Sequence, residues 1–292
     1  MLLPMHRPLR LSLAVAVSLG IVGAAAAAAS LVHDPTRLPV GDGKVTTAGP
    51  KRGYVYSCQS SFRGGPAVHS GEWIRSDGTW DSTAKPAVSG SVSWPSSFSV
   101  GVTGGGVRIS GNDLPKHATG TFPVSTSDPA YRYDPNPNPI RAQSLSFALP
   151  ASPKVAASAA CLPQGPIGVM LTGSFLFNAL DAAGRDGVAH EVQDACGGHP
   201  EMRGAYHYHA LSPCASDTKK GHSALAGYAL DGFGIYGPRG ENGKTLTNAD
   251  LDACRGHTHA VAFNGKTARV YHYHATAEYP YTLGCFRGTP VR

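Results

Sequence analysis

The feature that most constrains this chain is a stretch of sequence that occurs twice. Residues 194–214 run from Asp-Ala-Cys through Gly-His and Tyr-His-Tyr-His-Ala to a closing cysteine, and residues 252–285 repeat that order. The similarity continues upstream, where residues 167–177 align with 226–236. A period of about 60 residues in only two copies excludes a solenoid, which stacks three or more units. We predict repeats that pair around a pseudo-twofold axis, with two merely adjacent hairpins as the alternative. The predicted repeats span about 166–214 and 225–285.

Composition favours a β-rich chain with many loops. Only 15% of the residues are charged, and 36 glycines and 23 prolines break the sequence into short segments. In segments such as 98–102, apolar residues alternate with small or polar ones, which is typical of strands. Helix-compatible stretches are short, and 247–251 is the clearest because Thr247 can cap it. The predicted fold class is mainly β, a β-rich α+β fold with short helices and a duplicated C-terminal half.

The amino terminus predicts export. Arg7 and Arg10 precede an apolar run at 11–29 that ends in small residues, the pattern of a secretory signal peptide. The alternative is an uncleaved membrane anchor, because the run approaches the ~20 residues that span a bilayer. We therefore expect a secreted or periplasmic protein. The predicted regions are a signal peptide at 1–29, a β-rich region at 30–110 and the duplicated domain at 111–292.

Six cysteines in an exported chain predict three disulfides. Each repeat opens and closes with a cysteine, so symmetry pairs the two cysteines inside each copy. The remaining two pair by elimination. A zinc site with thiolate ligands is the alternative, but the chain contains no Cys-x-x-Cys. The predicted pairs are Cys196–Cys214, Cys254–Cys285 and Cys58–Cys161.

The doubled tetrapeptide places histidines in pairs. Alternate side chains of a strand share a face, so the two histidines of each Tyr-His-Tyr-His point the same way. One more histidine follows a glycine at the same place in each copy and supplies a third ligand. Imidazole suits zinc, copper, iron and nickel, and we expect a divalent metal cofactor, with zinc or copper first. The predicted ligands are His199, His207, His209, His257, His272 and His274.

These histidines allow two arrangements. Each repeat could hold its own three-histidine site, or the two Tyr-His-Tyr-His strands could lie together and share a four-histidine centre. Three ligands with an open position fit catalysis, whereas four closed positions fit a structural site. A competing interpretation makes the strands purely structural, with imidazoles that bond to backbone carbonyls.

Some polar residues of the second copy have no match in the first. Asp231 stands where the first copy has Thr172, which makes it a candidate general base or an acceptor behind the metal ligands, although an Asp-Gly turn is the simpler interpretation. His222 is a candidate partner of Asp231 in catalysis. His259 forms another His-x-His with His257 and ranks below the predicted ligands.

The C-terminal half resembles the YHYH-domain family of secreted proteins. The resemblance covers roughly 117–288 and rests on both Tyr-His-Tyr-His elements, on the short motifs at 117–123, 136–140 and 166–169, and on three further motifs. It implies that the histidines bind metal and implies no particular reaction. The motifs are Cys-Gly-Gly-His at 196–199, Gly-Tyr-Ala-Leu-Asp-Gly-Phe-Gly-Ile-Tyr-Gly-Pro at 227–238 and Pro-Tyr-Thr-Leu-Gly-Cys at 280–285.

The sequence therefore predicts an exported metal-binding protein. The alternatives are a metalloenzyme, either a zinc hydrolase or a copper or iron oxidoreductase, and a non-catalytic envelope or extracellular binding module. The expected partners are a metal ion and an unidentified small molecule or surface ligand, with membrane contact only if the signal stays uncleaved. The net charge of +6 is spread along the chain, which argues against nucleic acid as a partner.

Overall fold

A computed structural model describes residues 34–65, 71–217 and 220–291 together with Met1. The predicted signal peptide lies outside these described residues, except for Met1. Strands make up most of the regular structure. They are β1 Leu38–Pro39, β2 Val45–Thr46, β3 Val55–Tyr56, β4 Thr79–Trp80, β5 Phe98–Thr103, β6 Gly106–Gly111, β7 Leu145–Leu149, β8 Pro166–Met170, β9 Phe175–Phe177, β10 Gly198–Pro200, β11 Tyr206–Tyr208, β12 Leu225–Ala229, β13 Gly234–Tyr236, β14 Gly256–Phe263 and β15 Lys266–His274.

Helices are short, as the sequence predicts. The α-helix α1 covers Gly187–His190, and two 3-10 turns cover Glu241–Gly243 and Asn248–Asp250. Thr247 caps the second 3-10 turn and Asp250 returns a bond to it, which satisfies the exposed backbone donors. The fold is therefore mainly β. None of the described helices is long and apolar enough to cross a membrane.

Eight strands form one mixed sheet in the order β10-β11-β9-β8-β12-β13-β15-β14. The central strands β8 and β12 run antiparallel. Outward from β8 the pairings are antiparallel, parallel and antiparallel, and outward from β12 they follow the same order. Each half thus ends in an antiparallel pair of strands that includes one Tyr-His-Tyr-His strand.

Two glycines allow the central strands to pair closely. A Cβ on Gly168 would lie 2.7 Å from the Tyr228 carbonyl oxygen, and one on Gly227 would lie 2.6 Å from the Val169 carbonyl oxygen. Side chains at either position would collide with the partner backbone, so glycine is required where β8 meets β12. These are the glycines that align in the two copies of the sequence.

The sheet packs against two hydrophobic clusters. All four tyrosines of the Tyr-His-Tyr-His strands belong to the larger cluster, which also takes in the N-terminal residues Leu38, Val55, Trp73 and Trp80. A smaller cluster joins the three-stranded sheet β5-β6-β7 to the neighbouring part of the main sheet. The predicted region 30–110 thus contributes directly to the core around the sheet.

All three predicted disulfides are present. Cys58 bonds to Cys161, Cys196 to Cys214 and Cys254 to Cys285, and no described cysteine is free. The thiolate zinc site is therefore excluded for the oxidised protein. Each of the two shorter links closes the loop that carries a Gly-His and a Tyr-His-Tyr-His element.

Candidate metal centres

Each Tyr-His-Tyr-His strand is held in place by its first tyrosine. The Tyr206 hydroxyl donates to both carboxylate oxygens of Asp194, at 2.9 and 3.0 Å, and the Tyr271 hydroxyl donates to Asp252 at 3.0 and 3.1 Å. The same carboxylates accept backbone N–H groups from the turn that follows them. The Asp-Ala-Cys motif is therefore a structural link between the Gly-His turn and the tyrosine, and strand alternation turns the histidines to the other face.

The first cluster consists of His199, His207 and His209. Strand β10 places His199 directly opposite His207 on β11, and all three side chains are only 3% exposed. The Nδ1 of His207 lies 3.1 Å from the Ala205 carbonyl oxygen, and the Nδ1 of His209 contacts the Asn178 carbonyl oxygen. Because a carbonyl only accepts, both Nδ1 atoms carry the proton and both Nε2 atoms present a lone pair.

The Nε2 atoms of the first cluster meet at short distances. Those of His207 and His209 lie 3.2 Å apart. The Glu191 Oε2 lies 3.1 Å from the His209 Nε2 and 3.5 Å from the His199 Nε2. The sequence analysis missed Glu191, which directly follows α1 and lies outside the repeated motif. Its only signal is an acidic residue just ahead of the first Asp-Ala-Cys.

The second cluster contains five histidines whose ligand atoms all lie within 4.8 Å of one another: His222, His257, His259, His272 and His274. His257 lies opposite His272 in the β14–β15 register. The Nδ1 of His272 lies 2.9 Å from the Val270 carbonyl oxygen and that of His274 lies 2.6 Å from the Gly237 carbonyl oxygen. Both YHYH histidines therefore present Nε2 to the centre, as in the first cluster.

His259 and His222 complete the second cluster. The Nε2 of His259 lies 3.0 Å from the Nε2 of His257. The His222 ring centroid lies 4.9 Å from that of His274 and 5.0 Å from that of His259. His259, ranked below the predicted ligands, has its side chain inside the cluster. His222, expected beside Asp231, instead lies with the other histidines.

Burial keeps most of these imidazoles neutral. It lowers the pKa of His257 to about 4, of His272 to about 3 and of His274 to about 2. Burial also lowers the pKa of His199 and His207 well below the ordinary value. Neutral imidazole is the form that ligates metals, so the clusters are prepared for binding near neutral pH.

His209 is the exception in the first cluster. Burial disfavours its charged form, but the hydrogen bond and the negative charge of Glu191 outweigh that effect and raise the pKa of His209. In the absence of a metal, a proton between His209 and Glu191 is therefore favoured. A metal ion binding there would displace this proton.

The two Tyr-His-Tyr-His strands do not share a centre. Four strands, β9, β8, β12 and β13, separate β11 from β15 in the sheet. The shared four-histidine arrangement is therefore excluded, and the structure has one cluster in each half of the sheet. The reason is that each HxH strand pairs with its own Gly-His strand, β10 or β14, at an outer edge.

Asp231 lies on the tyrosine side of the second half. Its side chain is 1% exposed, and it accepts bonds from the Tyr273 hydroxyl and from the backbone N–H groups of Phe233, Arg287 and Gly288. Burial raises the pKa of Asp231. With four donors around it, this carboxylate has the surroundings of a turn and anchor residue. The structure thus separates Asp231 from the histidine face of β15.

His117 lies near the Cys196–Cys214 disulfide, and these three residues form a third group of candidate ligand atoms. Both sulfur atoms are bonded to each other, and the His117 Nε2 lies 2.5 Å from the Tyr208 hydroxyl. A disulfide sulfur is not a thiolate and does not hold a metal in the way that one does. This group is therefore no metal site while the disulfide is intact.

Comparison with known proteins identifies part of this chain. Residues 146–247 match the family model described as "YHYH protein", a segment that includes the first Tyr-His-Tyr-His strand. The matched segment is narrower than the resemblance that the sequence motifs suggest. No curated protein and no solved structure matches the chain significantly. The match supports the assignment of residues 146–247 to the YHYH-domain family.

Proposed function

We propose that this chain is an exported metal-binding protein with two histidine centres, one in each half of the eight-stranded sheet. A single observation carries the proposal. In the first cluster, the Nε2 atoms of His207 and His209 face each other at 3.2 Å while both Nδ1 protons are committed to backbone carbonyls. When His209 is neutral, two lone pairs face each other at that distance and repel, and a metal ion bound between them removes this repulsion.

A metal ion satisfies this geometry. In a tetrahedral zinc site with Zn–N bonds of about 2.0–2.1 Å, neighbouring nitrogens lie about 3.3 Å apart. The 3.2 Å separation in the first cluster and the 3.0 Å separation of His257 and His259 are close to that value. The buried Nε2 atoms of His272 and His274 have no hydrogen-bond partner in the described structure and would gain one. A proton on His209 is the other way to relieve the contact.

Donor chemistry favours zinc or copper. The clusters offer imidazole nitrogen, and the cysteines that could add thiolate are all oxidised. Disulfides form and persist in oxidising compartments, which supports export to the periplasm or beyond. The matched order of pairings on either side of β8 and β12 supports an internal duplication with a pseudo-twofold axis between these strands.

A metalloenzyme is the second candidate function, and it is favoured at the second cluster alone. His222 and His257 are partly exposed, whereas His272 and His274 are fully buried. A metal bound there would therefore have a path to solvent, which hydrolysis and oxidation both require. A non-catalytic binding module with structural strands is the interpretation that would remain if neither centre held metal.

Metal analysis of full-length exported protein, purified without a histidine tag, tests the proposal. We expect about two equivalents of zinc or copper per chain, one lost in His207→Ala and another in the triple variant His257→Ala/His272→Ala/His274→Ala. His117→Ala is the matched control and should keep both equivalents, because the His117 ring forms a hydrogen bond with the Tyr208 hydroxyl and belongs to neither cluster. Wild-type protein that stays metal-free after incubation with zinc or with copper would overturn the proposal.

A further inference from the structure

We propose, on the basis of the proposed metal binding, that Glu191 is an anionic fourth ligand that closes the first centre. The second centre is then the exchangeable one. The two centres would thus differ in how fast they release their metal although they share the same HxH strands. Three observations on the ligand sets and their surroundings support this division.

Glu191 occupies the position that a fourth ligand needs. Its Oε2 lies 3.1 and 3.5 Å from the Nε2 atoms of His209 and His199, close to the 3.2 Å that separates the Nε2 atoms of His207 and His209. The carboxylate is 17% exposed and Oε2 itself is buried. Three imidazoles and one carboxylate fill a tetrahedral set, and the negative charge offsets half of the charge of a buried divalent cation.

The turn that carries Glu191 is held firmly by the N-terminal region. The Trp73 Nε1 donates to the Ala189 carbonyl oxygen at 2.8 Å, and Lys85 donates to the Val188 carbonyl oxygen. His190 bonds to Asp42 at 2.8 Å. These contacts hold the three residues that precede Glu191 and so restrict its backbone, which places the carboxylate before a metal arrives. This assigns a role to a region whose sequence indicates none.

The second cluster is built differently. A carboxylate also approaches it, but the Glu241 Oε1 lies 3.9 Å from the His259 Nδ1 and that side chain is 70% exposed. Because the His259 Nδ1 faces the Ala260 carbonyl oxygen, Glu241 contacts the side of the ring that points away from the cluster. Five imidazoles exceed the four that a tetrahedral ion uses, and two of them are partly exposed. A surplus ligand at a solvent-facing edge allows an incoming chelator to replace ligands one at a time.

Zinc release from single-centre proteins tests this difference. The triple variant His257→Ala/His272→Ala/His274→Ala keeps two imidazoles of the second cluster and so leaves only the first centre, and His207→Ala leaves only the second. Each full-length variant is loaded with one equivalent of zinc and mixed with excess EDTA, and release is followed with a colorimetric zinc indicator. We expect release from the first centre to be at least about tenfold slower. Equal rates, or faster release from the first centre, would overturn the proposal.

Glu191→Gln, made in the triple variant that keeps only the first centre, tests the ligand itself. We expect its zinc affinity to fall by about 10- to 100-fold or more, the range seen when metal-site partners are removed, and its release to speed up. Glu191→Asp keeps the charge and should lose less. Glu241→Gln, made in the His207→Ala protein, is the matched control and should change release less than about twofold. A Glu191→Gln protein that folds, by circular dichroism, yet releases zinc like its parent would show that Glu191 is no ligand.

Failure of the underlying proposal has a different signature. If neither single-centre protein takes up zinc, metal binding itself is wrong. If both take it up and differ neither in rate nor in response to Glu191→Gln, only the division between the centres is wrong. Cobalt(II) absorption of the single-centre proteins adds an independent reading, because replacing a carboxylate oxygen alters the ligand field of the first centre only.

Discussion

The two halves of the eight-stranded sheet share one scaffold but surround it with different candidate ligands. In both, an Asp-Ala-Cys turn binds the first tyrosine of Tyr-His-Tyr-His, and the two histidines of that element donate Nδ1 protons to backbone carbonyls. The first half adds Glu191 and buries its cluster. The second adds His222 and His259 and leaves part of its cluster exposed.

This comparison separates what builds a centre from what tunes it. The tyrosine, aspartate and cysteine contacts that are common to both halves fix the position and the tautomer of the HxH pair. Residues outside the common motif determine the charge of each cluster, the number of its candidate ligands and its access to solvent. A metal centre on this scaffold could therefore change its chemistry by changing only the surrounding loops.

Metal loading should give the largest effect. An ion that binds only the folded chain stabilises it by about 2.7 kcal/mol at a concentration 100 times its Kd. Two centres should together raise the free energy of unfolding by about 5 kcal/mol, and each single-centre variant should show about half of that. Urea unfolding of zinc-loaded and EDTA-treated protein measures this difference. A full gain that survives in His207→Ala would show that the first cluster contributes nothing.

Removing the aspartate anchors should have the next largest effect, and it should differ between the halves. Asp194 is 5% exposed and also accepts the Gly120 N–H, whereas Asp252 is partly exposed. Asp194→Ala leaves several buried donors unsatisfied and should lower the free energy of unfolding by about 3–5 kcal/mol. Asp252→Ala should cost about 1–3 kcal/mol, because water reaches the donors it leaves. Urea denaturation of the metal-free variants, with disulfides verified as intact, provides the comparison, and equal losses would contradict it.

Acidification should destabilise the metal-free protein, and two buried histidines of the second cluster should contribute to this loss. Burial lowers the pKa of His272 to about 3 and of His274 to about 2, whereas unfolded histidine titrates near 6.5. Below pH 6.5 the unfolded chain binds protons that these folded residues do not, so stability is lost as the pH falls. Between pH 7.5 and 5.5 the two groups should cost about 3 kcal/mol in total.

One histidine of the first cluster, His209, has the opposite effect on stability when the pH falls. Glu191 outweighs burial and raises the pKa of His209, so this pair gains stability as His209 takes up a proton. His272→Gln should therefore flatten the loss of stability on acidification, and His209→Gln should steepen it. Urea midpoints measured in EDTA across this pH range test both signs. If stability fell equally steeply with pH in both variants, His272 and His209 would not differ in how their protonation affects folding.

Much of this arrangement could be predicted from the repeated motif. The strand alternation of Tyr-His-Tyr-His, the three disulfides and the third histidine of each set follow from local spacing and symmetry. Glu191, His222 and the position of His259 within the cluster could not be predicted in this way. They reach the clusters through tertiary packing of loops that do not repeat, so no periodicity marks them. Asp231 shows the converse, because an isolated asymmetry in sequence proved to be a buried hydrogen-bond anchor.

Replacing the second tyrosine of each Tyr-His-Tyr-His strand, Tyr208 or Tyr273, should change the free energy of unfolding least. These two tyrosines compare the halves on the side of the sheet away from the histidines. The Tyr273 hydroxyl donates to the Asp231 carboxylate and accepts the Arg287 N–H, whereas the Tyr208 hydroxyl contacts no carboxylate but the Nε2 of His117. Hydrogen bonds to charged groups contribute about 1.5–3 kcal/mol, and neutral ones about 1 kcal/mol. Tyr273→Phe should therefore lower the free energy of unfolding by about twice as much as Tyr208→Phe, measured by urea denaturation at pH 7.5. Both variants should keep their metal, because a tyrosine hydroxyl in the core does not touch the imidazoles on the opposite face. Loss of zinc in either variant would mean that the tyrosines govern the position of the histidines more tightly than the backbone contacts do.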